Sequence, residues 1–229
     1  MIPLYQILSP TFGELVWDQY PTDELLGFQL AYLTYIKSNF SDTLEEARQG
    51  FTRISLVWKN PKSQQEFLSQ LTGLKLTPIE LSHAIWQVPV CYDSKYGQDL
   101  NSLVKSKNLS LTELIQLHSE PLYRIHFFGF LPGFFYLNGL SPRLHTPRKS
   151  VPLPAVPPGS VAIGGSQTGV YPMQSPGGWH IVGRSPLTFF DPKWPIPVWA
   201  KPGEQIQFVP ISVSQFESWK DQLPKCFQK

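Results

Sequence analysis

Between Phe128 and Pro192 the chain places ten of its 16 glycines and 11 of its 23 prolines, and the helical period disappears there. Proline lacks a backbone N–H and clashes with the preceding helical turn, and glycine costs about 1 kcal/mol in a helix interior. Short strands joined by ordered turns are what such a segment can form. "SVAI", "WHIVG", "LTFF" and, further on, "QIQFVPI" are apolar pieces of strand length between Pro/Gly breaks, which predicts an antiparallel β-barrel or sandwich.

The chain before residue 120 reads differently. A strand is predicted near Leu15 to Trp17, then a helix in "TDELLGFQLAYLTYIKSNF", where Leu26, Leu30 and Leu33 recur at helical spacing behind Asp23 as cap. "FTRISLVWK" alternates, with Ile54, Leu56 and Trp58 on one face of a strand, and "KSQQEFLSQL" gathers Phe67, Leu68 and Leu71 on one side of a second helix. "HAIWQVPVCY" closes the set as another strand. Strands interleaved with two helices predict a small α+β sandwich of the split βαβ kind. Two short helices follow, the second near residues 111 to 118 behind Ser110 and Glu113 at capping-box spacing. The expected fold class is α+β, with a sandwich domain over 1–84 and a β-barrel domain over 85–229.

Charge and composition exclude several functions. A net charge of +2 without clustered Lys or Arg gives no case for nucleic acid. No apolar run reaches the roughly 18 residues a membrane span needs, and "MIPLYQILSPTFGE" lacks the basic and apolar regions of a signal peptide, so no membrane partner and a cytoplasmic location are expected. Cys91 and Cys226 are far apart and have no His or Cys at ligand spacing, which signals neither a disulfide framework nor a zinc site.

Between Glu120 and Asp191 there is no acidic residue, while Arg124, Arg143, Arg148, Lys149 and Arg184 fall in the same stretch with His126, His145 and His180. Unpaired guanidinium groups in a loop-rich cleft favour a carboxylate or phosphate, whose geometry the Arg fork matches. The alternative is that these cations pair with acids such as Asp23, Glu24 or Glu80, or lie in solvent. Within the stretch, Gly164 and Gly169 have the outer spacing of a P-loop, but Val170 and Tyr171 stand where its Lys and Ser/Thr belong, which removes the nucleotide reading of that loop. There is no G-x-S-x-G elbow and no acid near a barrel His, so no nucleophile triad is formed by this chain alone.

Single residues carry two readings each. Gln167 and Thr168 could offer an amide and a hydroxyl to a ligand, or could brace a turn. Tyr171 could donate a phenolic hydrogen bond or be a core residue with its hydroxyl at the rim. Trp179 is a packing anchor first and a stacking platform second. His118 ends a helix, where a cation is favoured by the helix dipole, and lies just before "PLYRIHFFGF". For Gly129, Pro132 and Gly133 a strained turn is the main reading. "FFGFLPGFFYL" holds five Phe and a Tyr in eleven residues, more than a short loop buries by itself, which predicts contact with a partner.

The motifs "GFLPGFFYL", "PPGSVAIGGSQTG" and "YPMQSPGGWHIVGR" resemble the signature of the B subunits of bacterial ATP-dependent 5-oxoprolinase. That family includes the kinase inhibitor KipI, was also labelled allophanate hydrolase subunit 1, and is similar to part of the urea carboxylase carboxyltransferase domain. The resemblance is weak before residue 85 and strong from "VPVCYDSKYGQDL" to "FFDP". It implies an N-terminal ferredoxin-like α/β sandwich, a C-terminal cyclophilin-like antiparallel β-barrel, and the C and A subunits of 5-oxoprolinase as partners. It further implies ATP, with or by those partners and with Mg²⁺, in the opening of 5-oxoproline to glutamate. Gln167, Tyr171 and His118 are then the candidate catalytic groups. Arg148, Arg184, Thr168, Gly165, Ser175, Gly178 and Trp179 are the candidate contacts to a small anionic substrate. Where family members usually carry Pro-Arg before the "VPxGS" turn this chain has Pro152 and Leu153, so that either Arg148 or Lys149 covers for the missing guanidinium or this chain handles its ligand differently. Inhibition of a sensor histidine kinase, or allophanate or urea processing, are the alternative functions that the family resemblance carries.

Overall fold

Helix α1 (Asp23–Asn39) begins at Thr22, whose side-chain oxygen accepts the Leu25 N–H at 3.1 Å. The cap is therefore Thr22 and not Asp23, which sits in the first turn, where a negative charge meets the exposed N–H groups. Leu25, Leu26, Phe28, Tyr32 and Ile36 are buried, while Leu30 and Leu33 of the expected stripe are only partly so. The computed structural model describes residues 1–220, 222 and 224–228; positions 221, 223 and 229 of the expected second domain lie outside the described residues.

The chain divides into two units, Met1–Leu81 and Ser82–Lys229. In the first, β1 (Leu4–Ser9), β2 (Phe12–Val16), β3 (Leu44–Gln49) and β4 (Arg53–Trp58) form one sheet in the order β1-β2-β4-β3, antiparallel at every pairing. β2 and β3, linked through α1, thus flank β4, which is the split βαβ pattern. Ile54, Leu56 and Trp58 alternate inward as expected. Helix α2 (Pro61–Leu71) starts at the Asn60 cap and brings Phe67 to within 5.1 Å of the Trp58 ring. Burying an aromatic of this size contributes roughly 1.5–3 kcal/mol.

The second unit holds β5 (Ala84–Val90), helices α3 (Leu100–Ser106) and α4 (Leu111–Ser119), β6 (Tyr123–Phe128), β7 (Phe135–Asn138), β8 (Leu153–Val156), β9 (Ser160–Gly164), β10 (Gln167–Val170), β11 (Ser175–Gly177), β12 (His180–Arg184), β13 (Gln205–Pro210), α5 (Val213–Phe216) and β14 (Lys225–Gln228). Strand β5 does not close the first sandwich: it lies between β13 and β14 in an eight-stranded sheet of order β12-β9-β10-β7-β6-β13-β5-β14. The expected all-antiparallel barrel needs two corrections. The β13–β5 pairing is parallel, whereas β14 pairs with the other edge of β5 antiparallel. The sheet is an open series, and β5 approaches β12 through a single bridge between Cys91 and Arg184. "LTFF" forms no strand, and β8 and β11 make a separate ribbon.

All five residues of β9 are buried because both faces of the sheet are covered there. Val161 and Ile163 face the main core with Tyr123, Phe135 and Phe208. Ala162 faces a smaller aromatic cluster of Phe134, Tyr171 and Trp179. The candidate site lies on that second side.

Candidate functional site

"GGSQTG" is a β-hairpin. Gly164 pairs with Gln167 across the turn Gly165–Ser166, and Gly165 has φ +65, a left-handed value that glycine adopts at no steric cost. Thr146 exchanges backbone hydrogen bonds with Gly165 in both directions. The glycines facing the second cluster serve as seats for rings. A Cβ on Gly164 would lie 2.4 Å from the Trp179 ring, one on Gly169 3.1 Å from Phe134, and one on Gly177 2.3 Å from the Tyr171 hydroxyl.

With its ring laid on Gly164, Trp179 forms one wall of a pocket of about 260 Å³. Phe134 stands edge-on to both Trp179 and Tyr171, at 5.5 and 5.4 Å. Phe130, Tyr136, Pro152, Pro176 and Gly178 complete the lining, and the only charged group on it is Arg148. The Arg148 guanidinium sits 5.7 Å from the Trp179 ring and is exposed, with no carboxylate partner among the described residues. Burial raises the Tyr171 phenol above its ordinary pKa, opposed by a hydrogen bond from the Trp179 backbone and by the charge of Arg148. Tyr136 is raised by burial in the same way, with Arg148 again opposing. Both phenols therefore stay protonated, as hydrogen-bond donors beside a cation.

Four sequence-predicted residues meet at this pocket: Arg148, Tyr171, Gly178 and Trp179. Gln167 shares the sheet face with Gly164, and its Oε1 is buried without a hydrogen-bond partner, but it does not line the pocket. Gly165 forms the turn, and Ser175 bonds the neighbouring Pro176 carbonyl. Arg184 donates instead to the Pro158 carbonyl at 2.7 Å. Thr168 points into the main core, where its hydroxyl bonds the Ala162 carbonyl at 3.0 Å and His118 Nε2 at 2.8 Å.

His118 is no helix-end cation. It is fully buried, stacks on Phe208 at 4.8 Å, and bonds the Tyr92 hydroxyl through Nδ1 at 2.7 Å. Because Thr168 donates to Ala162, Nε2 carries the proton and Nδ1 accepts from Tyr92. Burial lowers the imidazole to about 3, so the ring is neutral. The capping box at Ser110 and Glu113 is present as expected.

The acid-free stretch does find carboxylates, from elsewhere in its own unit. Lys149 bonds Asp99 at 2.7 Å, and Arg143 lies 3.9 Å from Glu113. Lys149 is thus engaged with Asp99, whereas Arg148 has no carboxylate partner among the described residues. "FFGFLPGFFYL" buries Phe134 and Phe135 and half-buries Phe127, Phe128 and Tyr136, because alternate residues of the β6–β7 hairpin feed two clusters: Phe135 and Leu137 one, Phe134 and Tyr136 the other. Phe130 alone remains well exposed, at 59%. The pocket residues absent from the sequence reading, Phe130, Phe134 and Tyr136, come from this motif, and its density of rings was the signal for them.

A mixed α/β unit with a ring-walled pocket that bears one exposed arginine is the class of protein that fold and site define. The family model for the carboxyltransferase domain, subdomain C and D, matches residues 18–200. The chain is 41% identical over 143 residues to the 5-oxoprolinase B subunit of Bacillus subtilis, covering 62% of this chain and 60% of that protein. It is 38% identical over 178 residues to the 5-oxoprolinase B subunit of Escherichia coli O157:H7, covering 72% and 77%. The crystal structure of the K. lactis urea amidolyase shares the fold, with a TM-score of 0.77 at 15% identity over 98% of this chain and 16% of that one. The chain belongs to the carboxyltransferase-domain subdomain C and D family, among the B subunits of 5-oxoprolinase. No described helix is long and apolar enough to cross a membrane.

Proposed function

We propose that this chain is the subunit of an ATP-dependent 5-oxoprolinase that holds the lactam while the ring is opened to glutamate. The observation that carries the reading is Arg148, an exposed cation without a carboxylate partner, stacked on Trp179 over a pocket large enough for one small ring. Arg148 would take the substrate carboxylate, the flat lactam would lie against Trp179 and Phe134, and the Tyr171 hydroxyl would donate to the lactam oxygen, where negative charge develops as the ring opens. Gln167, Gly165 and Ser175 act by shaping the hairpin and ribbon around the pocket. The fold on this reading is a ferredoxin-like unit followed by a cyclophilin-like barrel opened at one seam.

The pocket does not hold ATP and Mg²⁺ by itself: one guanidinium and no carboxylate line it, where a triphosphate and its Mg²⁺ call for further cations and at least one carboxylate. We assign both to partner subunits, of the A and C kind. The names of the relatives favour this reading over kinase inhibition or allophanate processing. The test is 5-oxoproline-dependent ATP hydrolysis by the chain reconstituted with its partners. Arg148→Ala should raise KM about 10- to 100-fold, the weight of a hydrogen bond to a charged group, with little loss of thermal stability. An unchanged KM rejects Arg148 as the anion contact.

A further inference from the structure

Phe130 is one of two non-glycine residues with positive φ among the described residues, at +68. A bulky side chain in this left-handed region is strained, and such strain persists only where the surroundings over-determine it. The surroundings do so here. Gly129 N–H donates to Phe134 O at 3.1 Å, Leu131 N–H to Gly129 O at 2.8 Å, and Phe134 N–H to Leu131 O at 3.0 Å, which fixes the loop on both sides of Phe130. Gly133, at φ +80, is wedged where a Cβ would meet Phe190 at 2.6 Å. The fixed loop carries the Phe130 ring outward, 59% exposed, and stands it edge-on to Phe134 at 5.6 Å and to Tyr171 at 6.3 Å. An exposed phenyl held in a strained conformation contributes little core burial. Its contacts are with the pocket it lines.

We infer that Phe130 is a specificity-determining residue, a fixed wall that limits the pocket to a five-membered lactam carboxylate. The inference rests on the proposed function. Its signature separates it from a structural role, because Phe130→Gly relieves the backbone strain while removing the wall. The reconstituted complex, assayed with 5-oxoproline and with the six-membered homologue 6-oxopiperidine-2-carboxylate, provides the readout. Phe130→Gly should hold or raise the melting temperature, raise KM for 5-oxoproline by roughly fivefold to tenfold, the weight of one aromatic contact, and shrink the preference over the larger ring by a similar factor. Phe130→Leu, which retains bulk, should keep most of the preference. Unchanged ring-size preference in Phe130→Gly, or a fall in melting temperature that accompanies the loss of affinity, overturns the inference while the site reading stands. If Arg148→Ala in the same assay alters neither substrate's KM, the site reading falls, and the inference with it.

Discussion

Gly164 and Gly165 are neighbours that cannot be replaced for opposite reasons. Gly164 has ordinary backbone angles and no room, since a Cβ would lie 2.4 Å from Trp179; Gly165 has open space and a φ of +65. Gly164→Ala should therefore cost about 1–3 kcal/mol by overpacking and shift the Trp179 environment, seen as a change in tryptophan fluorescence. Gly165→Ala should cost about 1 kcal/mol through backbone strain and leave that fluorescence as it was. Equal spectral effects would contradict the seat assigned to Gly164. At His118 the consequence is a pH dependence. The ring is lowered to about 3 when folded and returns to about 6.5 when unfolded, so the unfolded state binds the extra proton between these values. Stability should thus fall as pH drops below about 6.5, with a slope from this group of up to about 1.4 kcal/mol per pH unit, until about pH 3. His118→Gln, which keeps two hydrogen-bonding groups but does not titrate, should flatten that limb in denaturant titrations; an unchanged slope would refute the buried neutral ring.

The elements show what the sequence pattern could and could not reveal. Strand β4 and helices α1, α2 and α4 are legible because burial on one face imposes a period on the residues, as at Ile54, Leu56 and Trp58. β1 and β3 leave no such trace: as the edges of their sheet they pair on one side only, β1 exposes Leu4, Ile7 and Leu8, and β3 reads "LEEARQ". β9 reads as an unbroken apolar run because both its faces are buried. The pocket was half legible, since Arg148, Tyr171 and Trp179 stand out by residue type, whereas the aromatic wall from the β6–β7 hairpin depends on a cross-strand register that spacing does not disclose. The same holds for the segment bearing Arg148. It is held by Lys149 N–H to Gly178 O at 2.8 Å, by His180 Nε2 to Pro147 O at 3.0 Å, and by the Asp99 carboxylate, which accepts from Lys149 Nζ at 2.7 Å and from Ile181 N–H at 2.8 Å. Asp99→Ala leaves a mostly buried ammonium and a backbone donor without partners, and should cost about 2–4 kcal/mol. Because it loosens the Arg148 segment, KM should also rise more than kcat falls; a loss of stability with KM intact would confine Asp99 to a structural role.

At the scale of the whole molecule, the two units differ in how far their pairings reach along the chain. The first unit's sheet is assembled entirely within Met1–Leu81. In the second, β5 has no partner near it in sequence: its parallel neighbour begins with Gln205 opposite Ile85, and its other neighbour is β14. Closing loops of this length costs entropy before any contact offsets it, and such topologies fold slowly. During synthesis the apolar β5 must therefore wait, unpaired, until β13 and β14 have left the ribosome, while the first unit can already be native. Refolding followed by pulsed hydrogen exchange should show amides of residues 54–58 protected well before those of residues 85–90; simultaneous protection would refute the delay. An apolar strand left waiting in this way is a substrate for a chaperone, so the parallel pairing that completes the sheet also leaves the nascent chain's β5 open to pairing with other chains until β13 is made.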